Sequence, residues 1–119
     1  MKDIFRFRNF PVYKDSKKFL ILCYKSSDSI SNPNLRSQIQ RAANSIVLNI
    51  AEGSAKYSDK DFARYLASAI GSVNELIAAF DISLELNLIK SETFGKIEAH
   101  ATKIVNQLAS FRNSLKSKE

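Results

Sequence analysis

Four stretches of this chain repeat apolar side chains at three- and four-residue steps, the period of a helix with one buried face. The last is the most regular. Phe94, Ile97, Ala101, Ile104, Leu108, Phe111 and Leu115 alternate steps of three and four, the seam spacing of a helical bundle. Leu35, Ile39, Ala42, Ala43, Ile46 and Ile50 make a second stripe, and Phe62, Tyr65, Leu66, Ala69, Val73, Leu76, Ile77 and Phe80 a third. In the first stretch Val12, Phe19, Leu20, Cys23 and Tyr24 turn inward, while Lys14, Lys17, Lys18 and Lys25 turn outward.

Capping signals place the ends of these helices. Pro11 suits a first helical turn, Asn32-Pro33 supplies a cap followed by a first-turn proline, Ser58 to Asp61 forms a capping box, and Ser91 opens the last helix. The prediction is an N-terminal arm over 1–10 and helices over about 11–26, 33–53, 59–87 and 92–115. The polar segment from Ser26 to Pro33 reads as a loop, and Gly53 as the permissive residue that ends the second helix. Together they make one domain, residues 1–119, folded as an all-α, antiparallel up-down four-helix bundle.

The third helix carries a second stripe, of small residues: Ala63, Ala67, Gly71, Asn74 and Ala78. Small side chains let a neighbouring helix approach closely, either inside the bundle or across a subunit interface. Gly71 costs about 1 kcal/mol relative to Ala in a helix interior, so a packing reason for it is expected.

The segment Gln40 to Gly53 runs Arg41-Ala42-Ala43-Asn44-Ser45-Ile46-Val47-Leu48-Asn49-Ile50-Ala51-Glu52-Gly53. It follows Val12-Tyr13 in the first helix and precedes Ser58 to Phe62 and Ala69-Ile70-Gly71-Ser72-Val73-Asn74-Glu75-Leu76. In these blocks and their order the chain resembles the four-helix-bundle proteins named for open reading frames in intervening sequences of bacterial 23S ribosomal RNA genes. Many members carry Pro where Val47 stands, so a kink there is not expected. The resemblance implies a ring-shaped homopentamer. A similar accessory protein, the variability protein of diversity-generating retroelements, forms a positively charged pentameric barrel that associates with a reverse transcriptase and RNA. The signature residues Arg41, Asn49, Glu52, Gly53, Gly71, Ser72 and Glu75 are read as structural. Arg41 and Glu52 are expected to pair with Glu75 or Arg64 of a neighbouring helix or subunit, and Asn49 with Ser72 as a polar lock between the second and third helices. Ala63, Ala67, Gly71, Asn74 and Ala78 are the candidate oligomer interface.

At 119 residues, 45% hydrophobic and 25% charged, the chain has the composition of one folded domain rather than a disordered segment. Its longest apolar runs, such as Phe19 to Tyr24, are short for a membrane span, and a single cysteine, Cys23, fits a reduced, cytoplasmic setting. Charge adds more. The net +6 arises in residues 1–64, with twelve Lys and Arg against six Asp and Glu, whereas residues 65–119 hold six against six. Arg6, Arg8, Lys14, Lys17, Lys18, Lys25 and Arg36 are the candidate nucleic-acid contacts, able to neutralise phosphates. Phe5, Phe7, Phe10 and Tyr13 lie among them, either to stack on unpaired bases or to anchor the arm to the bundle.

Catalytic patterns are missing in nameable ways. A di-iron bundle needs two Glu-x-x-His pairs and a zinc site clustered Cys and His, but the chain has one histidine, His100, and one cysteine. His100 shares a polar helix face with Thr93, Lys96, Lys103 and Gln107 and reads as a solvated surface residue. Lys96 stands four residues before His100, where helical ribonucleases of toxin systems use Arg. The three glycines, Gly53, Gly71 and Gly95, are isolated and form no phosphate loop. The expectation is a non-enzymatic protein with no metal, cofactor or small-molecule substrate. It is a self-associating basic scaffold or adaptor for structured nucleic acid or a nucleic-acid-processing protein. The alternative is an oligomeric module for an acidic protein partner.

Overall fold

The computed structural model describes residues 4–116, in which a short 3-10 helix, Arg6–Asn9, leads into four α-helices. These are α1 (Pro11–Ser27), α2 (Pro33–Ser54), α3 (Asp59–Glu85) and α4 (Ser91–Lys116). The outermost residues of the predicted domain, including Lys2 of the arm, lie outside this range. Connections of four or five residues force each helix to run antiparallel to the one before. The bundle measures 48 × 26 × 21 Å, with its broadest seams between α2 and α3 and between α3 and α4, and its thinnest between α1 and α4.

Local chemistry sets the helix ends. Asn32 Oδ1 accepts hydrogen bonds from the backbone N–H groups of Asn34 and Leu35 at 3.0 and 3.1 Å, and Pro33 occupies the first turn of α2. Ser58 Oγ accepts from Asp61 N at 3.1 Å and starts α3. At the other end of α3, Asn87 adopts φ 59°, its N–H donates to Leu84 O, and Leu88 N–H donates to Ser83 O. That paired bonding stops α3 at Glu85, slightly before the predicted end, because Asn tolerates the left-handed conformation the motif requires.

The core is a continuous seam of Phe19, Ile39, Ile46, Ile50, Leu66, Leu76, Phe80, Ile97, Ile104 and Leu108, all fully buried. Leu20 and Tyr24 sit at its margin rather than inside it. The α1–α2 connection is not simply a polar loop. Ile30 is completely buried, and Arg36 Nη1 donates to its carbonyl at 2.8 Å, fixing the turn. Cys23 is also buried, and burial pushes its thiol up to about 12. By length and composition α3 would suffice to cross a membrane. Here it is the helix shared by both broad seams.

Gly53 plays a different part from the expected one. It lies within α2 with no positive φ, and Ala55 caps the helix. A Cβ at this position would stand 2.6 Å from Tyr65 Cβ and 2.9 Å from Phe62 Cδ1. Glycine is required because α2 and α3 approach closely, and a neighbouring Cβ cannot swing aside. Gly95, in α4, has nothing within 4 Å of such an added atom. The two positions therefore respond oppositely to alanine. Gly53→Ala is expected to lower stability in urea denaturation by about 1–3 kcal/mol through overpacking, and Gly95→Ala to raise it by about 0.5–1 kcal/mol through helix propensity.

Candidate nucleic-acid interface

The arm reaches the bundle through an aromatic cluster. Phe10 stacks on Phe62 at 6.2 Å between ring centres and meets Phe111 edge-on at 5.2 Å, while Phe62 and Phe111 close the triangle at 5.1 Å. Arg6 covers it, its guanidinium carbon 5.6 Å from the Phe10 ring centre and 5.7 Å from that of Phe62, and its Nη2 donates to Ser54 O at 3.1 Å. Arg6 is thus a pin between the arm and the end of α2. Phe7 packs edge-on against Tyr13 at 4.9 Å, and Phe5 meets Phe7 at 6.3 Å. Of the two sequence readings for these rings, anchoring is the one observed for Phe7, Phe10 and Tyr13.

Antiparallel packing redistributes charge along the rod. The half that carries the arm comprises residues 4–19, 44–72 and 104–116. Its cations are Arg6, Arg8, Lys14, Lys17, Lys18, Lys56, Lys60, Arg64, Arg112 and Lys116, and its acids are Asp15, Glu52, Asp59 and Asp61. The opposite half holds six of each sign, so among the described residues the whole excess of +6 gathers at one end. Arg8, Lys14, Lys17 and Lys18 are exposed there, with Lys17 Nζ 4.9 Å from the Tyr13 ring centre. Lys25 and Arg36 belong to the opposite half, and Arg36 is tied to Ile30. The sequence reading missed Lys56, Lys60, Arg64, Arg112 and Lys116. It also missed Tyr57, fully exposed in the turn between α2 and α3 at the same end.

The signature divides into a half-buried weld and a solvent-facing edge. Ser45 Oγ and Ser72 Oγ lie 2.8 Å apart across α2 and α3, and Asn49 Nδ2 donates to Ser45 O and Ser45 Oγ at 2.8 and 3.0 Å. The lock expected between Asn49 and Ser72 is therefore a relay through Ser45, because Asn49 folds back along its own helix. Within one chain, and among the described residues, the expected ion pairs are not present. Glu75 accepts from Gln38 Nε2 at 3.2 Å, Arg64 pairs with Asp61, and Arg41 and Glu52 are exposed without an ion pair. In the small-residue stripe Ala63 is buried, but Ala67, Gly71, Asn74 and Ala78 face outward, and an added Cβ on Gly71 would meet nothing within 4 Å. Packing inside the bundle does not account for Gly71.

His100 is not a solvated surface residue. Its Nε2 lies 2.9 Å from Asp15 Oδ1, its ring meets Phe19 edge-on at 5.0 Å, and Gln107 Nε2 donates to Asp15 Oδ2 at 2.8 Å. This network closes the thin α1–α4 seam. Burial raises the pKa of Asp15, but hydrogen bonds from His100 and Gln107 and the charges of His100 and Lys18 outweigh it and hold the carboxyl below its usual value. A depressed carboxylate contributes stability above its unfolded pKa, near 3.9, that is lost as pH falls through the folded value. Asp15→Asn is expected to cost on the order of 1 kcal/mol at neutral pH. In thermal melts across pH, its deficit should shrink as the solution is acidified below about pH 4. Among the described residues no cluster of His, Cys, Asp and Glu is grouped to hold a metal ion.

No curated protein sequence matches the chain. A crystal structure of a protein of unknown function from the S23 ribosomal protein family of Bacteroides thetaiotaomicron superposes with a TM-score of 0.78 at 25% identity, covering 85% of this chain and 97% of that one. The sequence pattern of the 23S rRNA-intervening sequence proteins matches residues 8–110, nearly the whole bundle and the signature within it. This four-helix bundle therefore belongs to the 23S rRNA-intervening sequence protein family.

Proposed function

We propose that this protein is a non-catalytic, self-associating adaptor that grips the phosphate backbone of structured nucleic acid, alone or with a nucleic-acid-processing protein, through the basic end of its bundle. The observation that carries this reading is the gathering of the entire net charge at the arm end, where Arg8, Lys14, Lys17 and Lys18 are exposed. Such a surface displaces counterions from a polyanion, and its affinity falls steeply with salt. Tyr57 adds one exposed ring for a splayed base, in place of the arm rings committed to packing. An acidic protein is the competing partner, favoured by that commitment of Phe7, Phe10 and Tyr13.

Fluorescence anisotropy of a labelled stem-loop RNA between about 50 and 200 mM salt tests the reading. Reversing Lys17 and Lys18 to Glu is expected to weaken binding at least tenfold, while reversing Lys90 and Lys96, at the neutral end, leaves it within about twofold. Tyr57→Ala should reduce the preference for single-stranded RNA over heparin. No binding by the unaltered protein at low salt would remove nucleic acid and leave the acidic protein partner.

Self-association is assigned to the exposed part of the α3 stripe beyond Ala67, namely Gly71, Asn74 and Ala78, with a ring of five as the family resemblance implies. Gly71 has free space around it in the single chain, and a neighbouring subunit would fill it. Gly71→Glu is expected to lower the native mass measured by light scattering while the helical circular dichroism is kept. An unchanged mass would exclude this face.

A further inference from the structure

We infer that the groove between α3 and α4 at the basic end is a seat for a backbone phosphodiester of the bound strand, with Arg112 as its principal grip. This rests on the nucleic-acid reading above and names the place where the strand is held.

The groove encloses about 350 Å³ and is lined by Lys60, Ala63, Arg64, Ala67, Arg112 and Lys116. Among the described residues no carboxylate contributes to this lining, and the neighbouring Asp61 is already paired with Arg64. Arg112 is half-buried, and its Nε is shut off from solvent with no hydrogen-bond acceptor among the described residues. A guanidinium donor left in that condition carries a desolvation penalty that an incoming anion would relieve. Its planar fork suits a phosphate's paired oxygens. Lys60 and Lys116 flank it as mobile point charges, one in the first turn of α3, where the helix dipole also favours an anion, and one in the last turn of α4.

The groove is larger than an isolated carboxylate or phosphate needs, and its lining includes the methyl groups of Ala63 and Ala67. A phosphodiester with its sugar fills both parts. Arg64 also lines a second recess, with Lys56, Asp61, Tyr65 and Ser68, where its charge is met by Asp61, so the free cations of this end are those of the first groove, Lys60, Arg112 and Lys116. Cations contributed from both walls of the groove, Lys60 on α3 and Arg112 and Lys116 on α4, fit the successive phosphates of a strand better than a single acidic side chain.

The test uses the full chain, a labelled single-stranded RNA, and the variants Arg112→Gln, Arg112→Lys and Lys116→Gln. Affinity is measured across a salt series, and the side-chain Nε–Hε resonance of Arg112 is followed by NMR. Arg112→Gln is expected to weaken binding several-fold and to lower the slope of log K against log salt by about 1, the signature of one lost phosphate contact. Arg112→Lys should restore part of the slope, and RNA should shift the Nε–Hε resonance of the unaltered protein. If Arg112→Gln does not fold, Lys116→Gln, on an exposed side chain, should show the same loss to a smaller degree. RNA binding with an unchanged slope in both Gln variants and an unmoved resonance overturns this seat and leaves the broader reading intact. Absence of RNA binding by the unaltered protein overturns both. A resonance shifted by an acidic peptide but not by RNA assigns the groove to a protein partner and also overturns the proposal.

Discussion

The close passage of α2 over α3 at Gly53 governs the arrangement of the arm end. With no Cβ there, Phe62 and Tyr65 of α3 can press against the α2 backbone. Phe62 is then placed to receive Phe10 on one side and Phe111 on the other. Arg6 closes over the rings and ties itself to Ser54, the next residue after the glycine. One absent methyl group thus determines where the arm lies, and with it where α1 begins. A side chain at this position would push the helices apart, and the aromatic triangle and its covering guanidinium would lose their common seat.

Much of the bundle was legible in the sequence because its determinants are local. Asn32 with Pro33, and Ser58 with Asp61, act within one turn, and the periodicity of α4 from Ile97 to Leu108 appears unaltered as buried positions. Ile30 escaped because a buried residue inside a polar connection leaves no period to read, and its partner Arg36 acts from the following helix. The Asp15–His100 pair escaped for a stronger reason. Those residues are 85 positions apart, and they meet only once the rotation and vertical register of α1 and α4 are fixed. The lock expected directly between Asn49 and Ser72 is replaced by Ser45, which spans the gap to Ser72 while Asn49 bonds to it from the same helix.

The candidate interface was half legible. Counting charge along the chain finds the excess in the first half and a neutral remainder. Folding the chain back on itself three times changes the relevant coordinate from sequence position to height along the rod. Arg112 and Lys116, from the neutral remainder, arrive beside Lys60 and Arg64, whereas Lys25 and Arg36 are carried to the far end. Arg6 also changes character, from a surface charge to a structural tie. Side chains that a composition profile treats as equivalent are thus divided between those left exposed at the basic end and those that hold the fold.

The lengthwise separation of charge gives the molecule a large electric dipole along its 48 Å axis. A rod of this kind turns its charged tip toward a polyanion before contact, so that its approach is end-on rather than side-on. The face such a rod presents first is its 21–26 Å cross-section, so the direction of approach is built into the way four antiparallel helices sort their charges by height.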